Sequence, residues 1–300
     1  MLSCYRKESL LTLISLALVA GSFAQITQHK IDPSATAAEI KTIHGPHLAL
    51  YDPSVKHRDK LLLFIVGTNG GSGDWLNFAE YAAKLGYHAL CLDYKNTVIT
   101  TTCVESKDSA CFDGFRKEIM FGTPVSDLVD VDSANSIINR TIKGLQWLAK
   151  NFPNEGWGQY FSGNNIKWQS VVAAGHSQGA GHVAYLGKRF LLDRIIILAG
   201  PQDYLAMYHS PAPWQKLKST TPLQNIYACL HVKDPYGFDR QLANCNAIMQ
   251  NTSSDTTMVN PGMQPVKPRH IFVASNETKD AHFAFHDEAF RPVWDFLLQR

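Results

Sequence analysis

Short apolar runs recur along the chain, each bounded by turn formers: Leu48 to Tyr51, Leu61 to Val66, His88 to Leu92, Val171 to Ala174, Ile195 to Leu198, Ile226 to Leu230 and Ile271 to Ala274. Their hydrophobic positions are continuous rather than alternating, the pattern of strands buried on both faces. Between them, apolar residues at spacings of three and four predict helices, most clearly over Leu76 to Leu85, Val125 to Phe152, Ala180 to Phe190 and Ala289 to Leu298. Strand alternating with helix predicts an α/β fold with a mostly parallel central sheet covered by helices on both faces. No internal repeat, low-complexity tract or Gly/Ser linker divides the chain, so residues 25–300 are expected to form a single domain.

Two long connections interrupt the alternation, Lys95 to Thr123 and Pro201 to Pro222. Both follow the carboxyl ends of predicted strands, the edge where open α/β sheets bind ligands. Loops of this length in compact domains are commonly functional. Their aromatics, Phe112, Phe115 and Phe121 in one and Tyr204, Tyr208 and Trp214 in the other, are candidate pocket walls, with satellite packing under the loops as the alternative.

Composition narrows the class. Hydrophobic residues make up 45% of 300 and charged residues 18%, ample material for a large core. The net charge of +2 is not gathered into any Lys/Arg cluster that could track a phosphate backbone, so nucleic acid is not an expected partner. At the N-terminus, Arg6 and Lys7 precede an apolar run from Leu10 to Ala20, and Ser22-Phe23-Ala24 offers small residues before a cut after Ala24. This is the pattern of a secretory signal peptide spanning residues 1–24. The run is shorter than the roughly 18 residues a membrane span requires, and no later stretch is longer. Loss of Arg6, Lys7 and Glu8 with the leader leaves a net charge of +1.

A secreted or periplasmic location favours disulfides. With Cys4 removed, Cys91, Cys103, Cys111, Cys229 and Cys245 remain, enough for two bridges and one thiol. Proximity favours Cys103 with Cys111 and Cys229 with Cys245, leaving Cys91 as a buried apolar residue. No Cys-x-x-Cys pair suggests a structural zinc, and no metal is expected. Asn139, Asn251 and Asn276 head glycosylation acceptor patterns.

Chemistry enters at Gly175-His176-Ser177-Gln178-Gly179, a G-x-S-x-G sequence. A predicted strand runs directly into it and a predicted helix leaves directly after it, the context of a nucleophile elbow that lifts a serine hydroxyl above a sheet. The flanking glycines, with Ala180 and Gly181, keep side chains out of the space where strand and helix pack. On this motif the chain resembles the α/β-hydrolase superfamily, the serine esterases and lipases, over nearly the whole of residues 25–300. Within it, Cys111-Phe112, Arg116 with Glu118, Gly156-Trp157 and Gly175 to Gly181 are similar to a little-characterised secreted group.

The resemblance implies a Ser-Asp-His triad in that chain order. Ser177 is the implied nucleophile. His231-Val232-Lys233-Asp234-Pro235 resembles the family's acid turn and makes Asp234 the acid, with Asp203 as the competitor because some members use the preceding strand. His282 lies between the last predicted strand and the C-terminal helix, where the family places its base; His286 is the alternative. An oxyanion hole needs two aimed backbone N–H groups. Gln178 is expected to supply one and the loop Gly67 to Gly73 the other, through Asn69 or, next, Gly70. That loop departs from the family's histidine-glycine start by having Gly67-Thr68. Without a Walker lysine or a Gly-x-Gly-x-x-Gly pattern it is not a phosphate loop, and no cofactor is expected. Arg116 and Glu118 would either orient a substrate carboxylate or brace the long loop through an ion pair with each other, bracing being the favoured role.

The resemblance implies acyl transfer on a small-molecule or lipid-like ester, and a secreted serine hydrolase of the carboxylesterase or lipase kind is the expectation. A non-catalytic binding protein on the same scaffold and an acyltransferase using an alcohol in place of water are the alternatives; oligomeric state is open. An imidazole of ordinary pKa, near 6.5, must be neutral to accept the serine proton. Ester hydrolysis measured across pH is expected to rise through pH ~6 to 8. A rate that stays flat down to pH ~4 would contradict a histidine base.

Overall fold

The computed structural model describes residues 26–250, 255–266 and 269–299; the expected leader and Asn251 lie outside the described residues. Nine strands form one sheet: β1 (Thr27–Ile31), β2 (His47–Tyr51), β3 (Leu61–Ile65), β4 (His88–Leu92), β5 (Val171–His176), β6 (Arg194–Leu198), β7 (Ile226–His231), β8 (Thr256–Val259) and β9 (Ile271–Ala274). Their spatial order is β1-β2-β4-β3-β5-β6-β7-β9-β8. Every pair from β4 to the β8 edge is parallel, while β2 is antiparallel to both β1 and β4. Six helices of more than two turns cover the sheet: α1 (Leu76–Lys84), α2 (Cys111–Phe121), α3 (Ile137–Asn151), α4 (Gln178–Arg189), α5 (Phe238–Met249) and α6 (Arg291–Gln299).

The burial of the central strands follows from their sequences. Leu61 to Ile65 is an unbroken apolar run, and all five residues of β3 are buried because helices cover both faces. Next to it, β5 carries Ala173, Ala174 and Gly175, small residues that let α4 come close. α4 itself is buried along nearly its whole length, which fits its mostly small and apolar residues.

Several expectations shift. The Lys95 to Thr123 connection contains α2, whose Phe112 and Phe115 belong to the main core and are not pocket walls. Phe121 packs against Tyr185 and Phe190, Trp214 is buried against Tyr185, and Tyr208 is half exposed. Gly114 interrupts the helical signal for a packing reason: a side-chain carbon there would lie 2.9 Å from Val125 O. Of the predicted helix Val125 to Phe152 only Ile137–Asn151 is helical, started by Ser136, whose Oγ accepts from Asn139 N–H. The segment before it is held by Glu118, whose carboxylate accepts from the amides of Val125, Ser126 and Val131. Glu118 is thus a brace for backbone and has no pairing with Arg116.

The bridge between Cys103 and Cys111 is formed, with Cα atoms 5.7 Å apart. The expected Cys229–Cys245 bridge is not: both are free, buried thiols, as is Cys91. Cys229 sits in β7 and Cys245 in α5, inside the apolar core, where each fills space as a small hydrophobe. The Cys245 thiol donates to Gly200 O at 3.3 Å.

Candidate active site

The turn from β5 into α4 forces Ser177 into φ 56°, ψ −116°. A non-glycine residue at positive φ is strained and is retained where surrounding structure over-determines it. Here the determinants are close backbone contacts. A side-chain carbon on Gly179 would lie 2.0 Å from Ile65 O, and one on Gly175 would lie 2.3 Å from Gly179 O. Only glycine fits at either point, so the helix start is pressed onto β3 and the serine is driven upward. The Ser177 amide donates to Leu198 O at 2.9 Å, tying the elbow to β6.

Opposite the elbow, the loop after β9 carries His282 and the turn after β7 carries Asp234. His282 Nδ1–H donates to Asp234 Oδ2 at 2.8 Å, and Asp234 Oδ1 accepts from the Tyr236 amide at 2.9 Å. Burial opposes ionisation of Asp234, but the hydrogen bond and positive field of His282, with the Tyr236 amide, outweigh it and hold the carboxyl below the usual 3.8. The stability this gives is present above pH ~4 and is lost as pH falls through the lowered value. The remaining imidazole nitrogen of His282 is left for the cavity that both His282 and Ser177 line. His282 N–H donates to Asp280 Oδ1, and His282 O accepts from His176 Nε2–H at 3.0 Å, so the loop carrying His282 is held from both sides. Burial, then the neighbouring His282, pushes His176 down to about 3, so it stays a neutral donor.

The two competitors are occupied elsewhere. His286 packs edge-on against Trp75 with ring centroids 5.2 Å apart. Asp203 is fully buried in a bidentate pair with Arg116, Oδ1 to Nη2 at 2.5 Å and Oδ2 to Nε at 3.1 Å, and also accepts from Trp214 Nε1. The third Arg116 donor, Nη1, reaches Gln178 O at 2.6 Å, and the guanidinium occupies the space that a side chain on Gly181 would take. Arg116 braces α2 against the start of α4 and is fully buried.

Of the expected oxyanion donors, Gln178 opens α4, where helix geometry gives its amide no intrahelical acceptor. The other two are committed. Asn69 is exposed and its amide donates to Asn96 O at 3.2 Å, while the Gly70 amide donates to Gly67 O at 3.1 Å. Thr68 instead lines the cavity, and its amide makes no hydrogen bond to the described residues. Its hydroxyl donates to Gln178 Oε1 at 2.6 Å, linking the two sides of the site. The Gly67 to Gly70 turn is closed by the Gly70 amide and tied to Asn96 through the Asn69 amide, which leaves the Thr68 amide without a partner among the described residues.

Asn96, beyond the end of β4, holds that turn and no motif announced it. Its Nδ2 donates to Gly67 O at 2.7 Å and Gly70 O at 3.0 Å, its Oδ1 accepts from His44 Nε2–H at 2.5 Å, and it is 1% exposed. The cavity itself is about 120 Å³. Ile99, Thr100 and Thr101, the last of them two residues before bridged Cys103, line it together with Tyr236 and Phe283. The walls thus come from the long connection, as expected, but from its first residues and not its phenylalanines. Among the described residues no cluster of His, Cys, Asp or Glu is placed to hold a metal ion, and no helix is long and apolar enough to cross a membrane.

No protein-family profile matches the sequence, and no curated protein matches it. Solved structures do. Esterase B from Lactobacillus rhamnosis inhibited by a C4-C4 SN3 tributyrin phosphonate is similar with a TM-score of 0.52 at 10% identity, covering 91% of this chain and 86% of that one. Its C6-C4 SN3 inhibited form gives a TM-score of 0.50 at 9% identity, with 91% and 88% covered. The chain has the α/β-hydrolase fold.

Two variants separate the braces from the site. Asp203→Asn strands a buried guanidinium and should lower unfolding free energy in urea by about 3–5 kcal/mol; a wild-type stability would contradict the brace. Asn96→Ala removes the donor that holds Gly67 O and Gly70 O, and should keep the fold while speeding hydrogen exchange of the Gly70 amide about tenfold or more; unchanged exchange would show that the turn holds itself.

Proposed function

We propose that this protein is a secreted serine hydrolase that cleaves carboxylic esters of short acyl groups through Ser177, His282 and Asp234. The observation that carries the reading is the meeting in one small cavity of a serine at a strained elbow and a histidine whose far nitrogen is fixed by a buried carboxylate. Secretion rests on the leader pattern of residues 1–24, and the Cys103–Cys111 bridge suits an oxidising compartment.

In the proposed sequence, Ser177 Oγ attacks the ester carbonyl carbon while its proton passes to His282 Nε2. Asp234 keeps the proton on Nδ1, so that Nε2 presents its lone pair, and stabilises the imidazolium once formed. Negative charge gathers on the former carbonyl oxygen, where the amides of Gln178 and Thr68 would receive it. The tetrahedral species collapses, the alcohol departs with the proton from Nε2, and the acyl group remains on Ser177. Water then adds to the acyl carbon, giving its proton to Nε2. Collapse returns that proton to Ser177 and releases the acid. A cavity of about 120 Å³ has the volume of roughly four waters, which suits acetyl to butyryl groups.

Hydrolysis of p-nitrophenyl esters tests this. Acetate and butyrate should be cleaved and palmitate poorly. Ser177→Ala and His282→Ala should lose about 10⁴-fold or more in kcat and Asp234→Asn about 10³–10⁴-fold, with the fold retained. Undiminished activity in Ser177→Ala would contradict the assignment, and ester product formed from an added alcohol in preference to acid would redirect it to acyl transfer.

A further inference from the structure

The cavity above Ser177 carries one uncompensated charge. Asp74, two residues before α1, lines it, and no Lys or Arg does. Its carboxylate lies against the oxyanion turn: a side-chain carbon added to Gly70 would sit 2.6 Å from Asp74 Oδ2. That carboxylate is exposed, and no hydrogen bond or ion pair engages it among the described residues. The same cavity is lined by the rings of Tyr236 and Phe283, the first with its centroid 4.5 Å from the His282 ring and the second with its centroid 6.3 Å from that of Trp75, the residue after Asp74.

We propose that Asp74 makes this site selective for esters whose alcohol or acyl part bears a cationic group, an ammonium or quaternary ammonium. The inference rests on the serine-hydrolase reading above. Two physical effects act together. A carboxylate and aromatic rings lining one small cavity can both engage a cation there, by charge and by the ring quadrupoles. The same carboxylate, beside the turn that holds the Thr68 amide, also opposes the negative charge that develops on the carbonyl oxygen. A neutral ester bears that repulsion in full; a cationic ester cancels it, and cancels it most when the charge has formed. Selection is therefore strongest in the transition state. Anionic esters meet repulsion at both stages.

Asp74 also precedes the N-cap of α1, where a negative charge complements the helix dipole. That role is indifferent to the charge of a substrate, so a matched pair of compounds separates it. The probes are p-nitrophenyl methylphosphonates whose second ester group is either choline or its uncharged isostere 3,3-dimethylbutanol. Each reports only attack by Ser177, through nitrophenolate release and the mass of the labelled peptide. At low salt the choline compound should label wild type about tenfold faster than the isostere, an advantage that shrinks in high salt. In Asp74→Asn the ratio should fall to about one, through slower labelling by the cation and faster labelling by the isostere, and Asp74→Glu should restore part of it. Equal rates in wild type, or a preference that survives Asp74→Asn, would overturn charge selection while leaving the nucleophile assignment intact. If neither compound labels the folded protein, the serine-hydrolase reading fails and this inference fails with it.

Discussion

The site depends on one close approach, the start of α4 pressed onto the backbone of β3. Gly179 stands where any side chain would collide with Ile65 O, and Gly175 stands where one would collide with Gly179 O. Packing this tight leaves the intervening residue no ordinary conformation, and Ser177 is held at positive φ. The same approach leaves the Gln178 amide free at the first turn of a buried helix. It also opens the gap beside Gly181 into which Arg116 reaches. From Arg116 the constraint passes along α2 to Cys111, and through the bridge to Cys103, next to the cavity wall at Thr100 and Thr101. Elbow, helix, bridge and wall form one connected assembly.

Two aspartates at neighbouring strand ends show how partner choice sets what a buried carboxylate can do. Asp203 is sealed with Arg116, Trp214 and the backbone around them, so its charge is spent on holding α2 and α4 together. Asp234 is also buried, but its partner is an imidazole whose other nitrogen is not consumed by the protein. A guanidinium partner stays charged, whereas an imidazole partner can gain and lose a proton. The contrast lies in what faces each group, since both follow parallel strands at the same edge of the sheet.

The central strands were legible because burial on both faces writes itself as continuous apolar sequence, and the elbow because glycine and serine must fall at fixed spacing there. The edge strands β1 and β8 escaped notice: Thr27-Gln28-His29-Lys30-Ile31 alternates polar residues as a half-exposed strand does, and Thr256–Val259 is short. α5 escaped because Asn, Gln and Arg dilute its apolar face. The apolar spacing from Val125 to Val131 imitated a helix, although only Leu128, Val129 and Val131 pack on the core, in an irregular segment whose Val125 and Val131 amides are fastened to Glu118. At the site, the residues named by motif were found at the elbow, the acid turn and the last loop. Thr68 and Asn96 were not, since which amide of a glycine-rich turn stays free is decided by hydrogen bonds between segments about 26–29 residues apart. The Cys229–Cys245 pairing failed for a related reason, because nearness in sequence says nothing of whether two thiols are directed at one another or into a core.

The central claim is that Ser177 is an activated nucleophile. Treating the purified, folded protein with a fluorophosphonate, and mapping the modified peptide by mass, tests it most directly. The account predicts a single adduct on Ser177, absent from Ser177→Ala and formed far more slowly in His282→Ala. A folded protein that takes up no label, or takes it up at another residue, would contradict it.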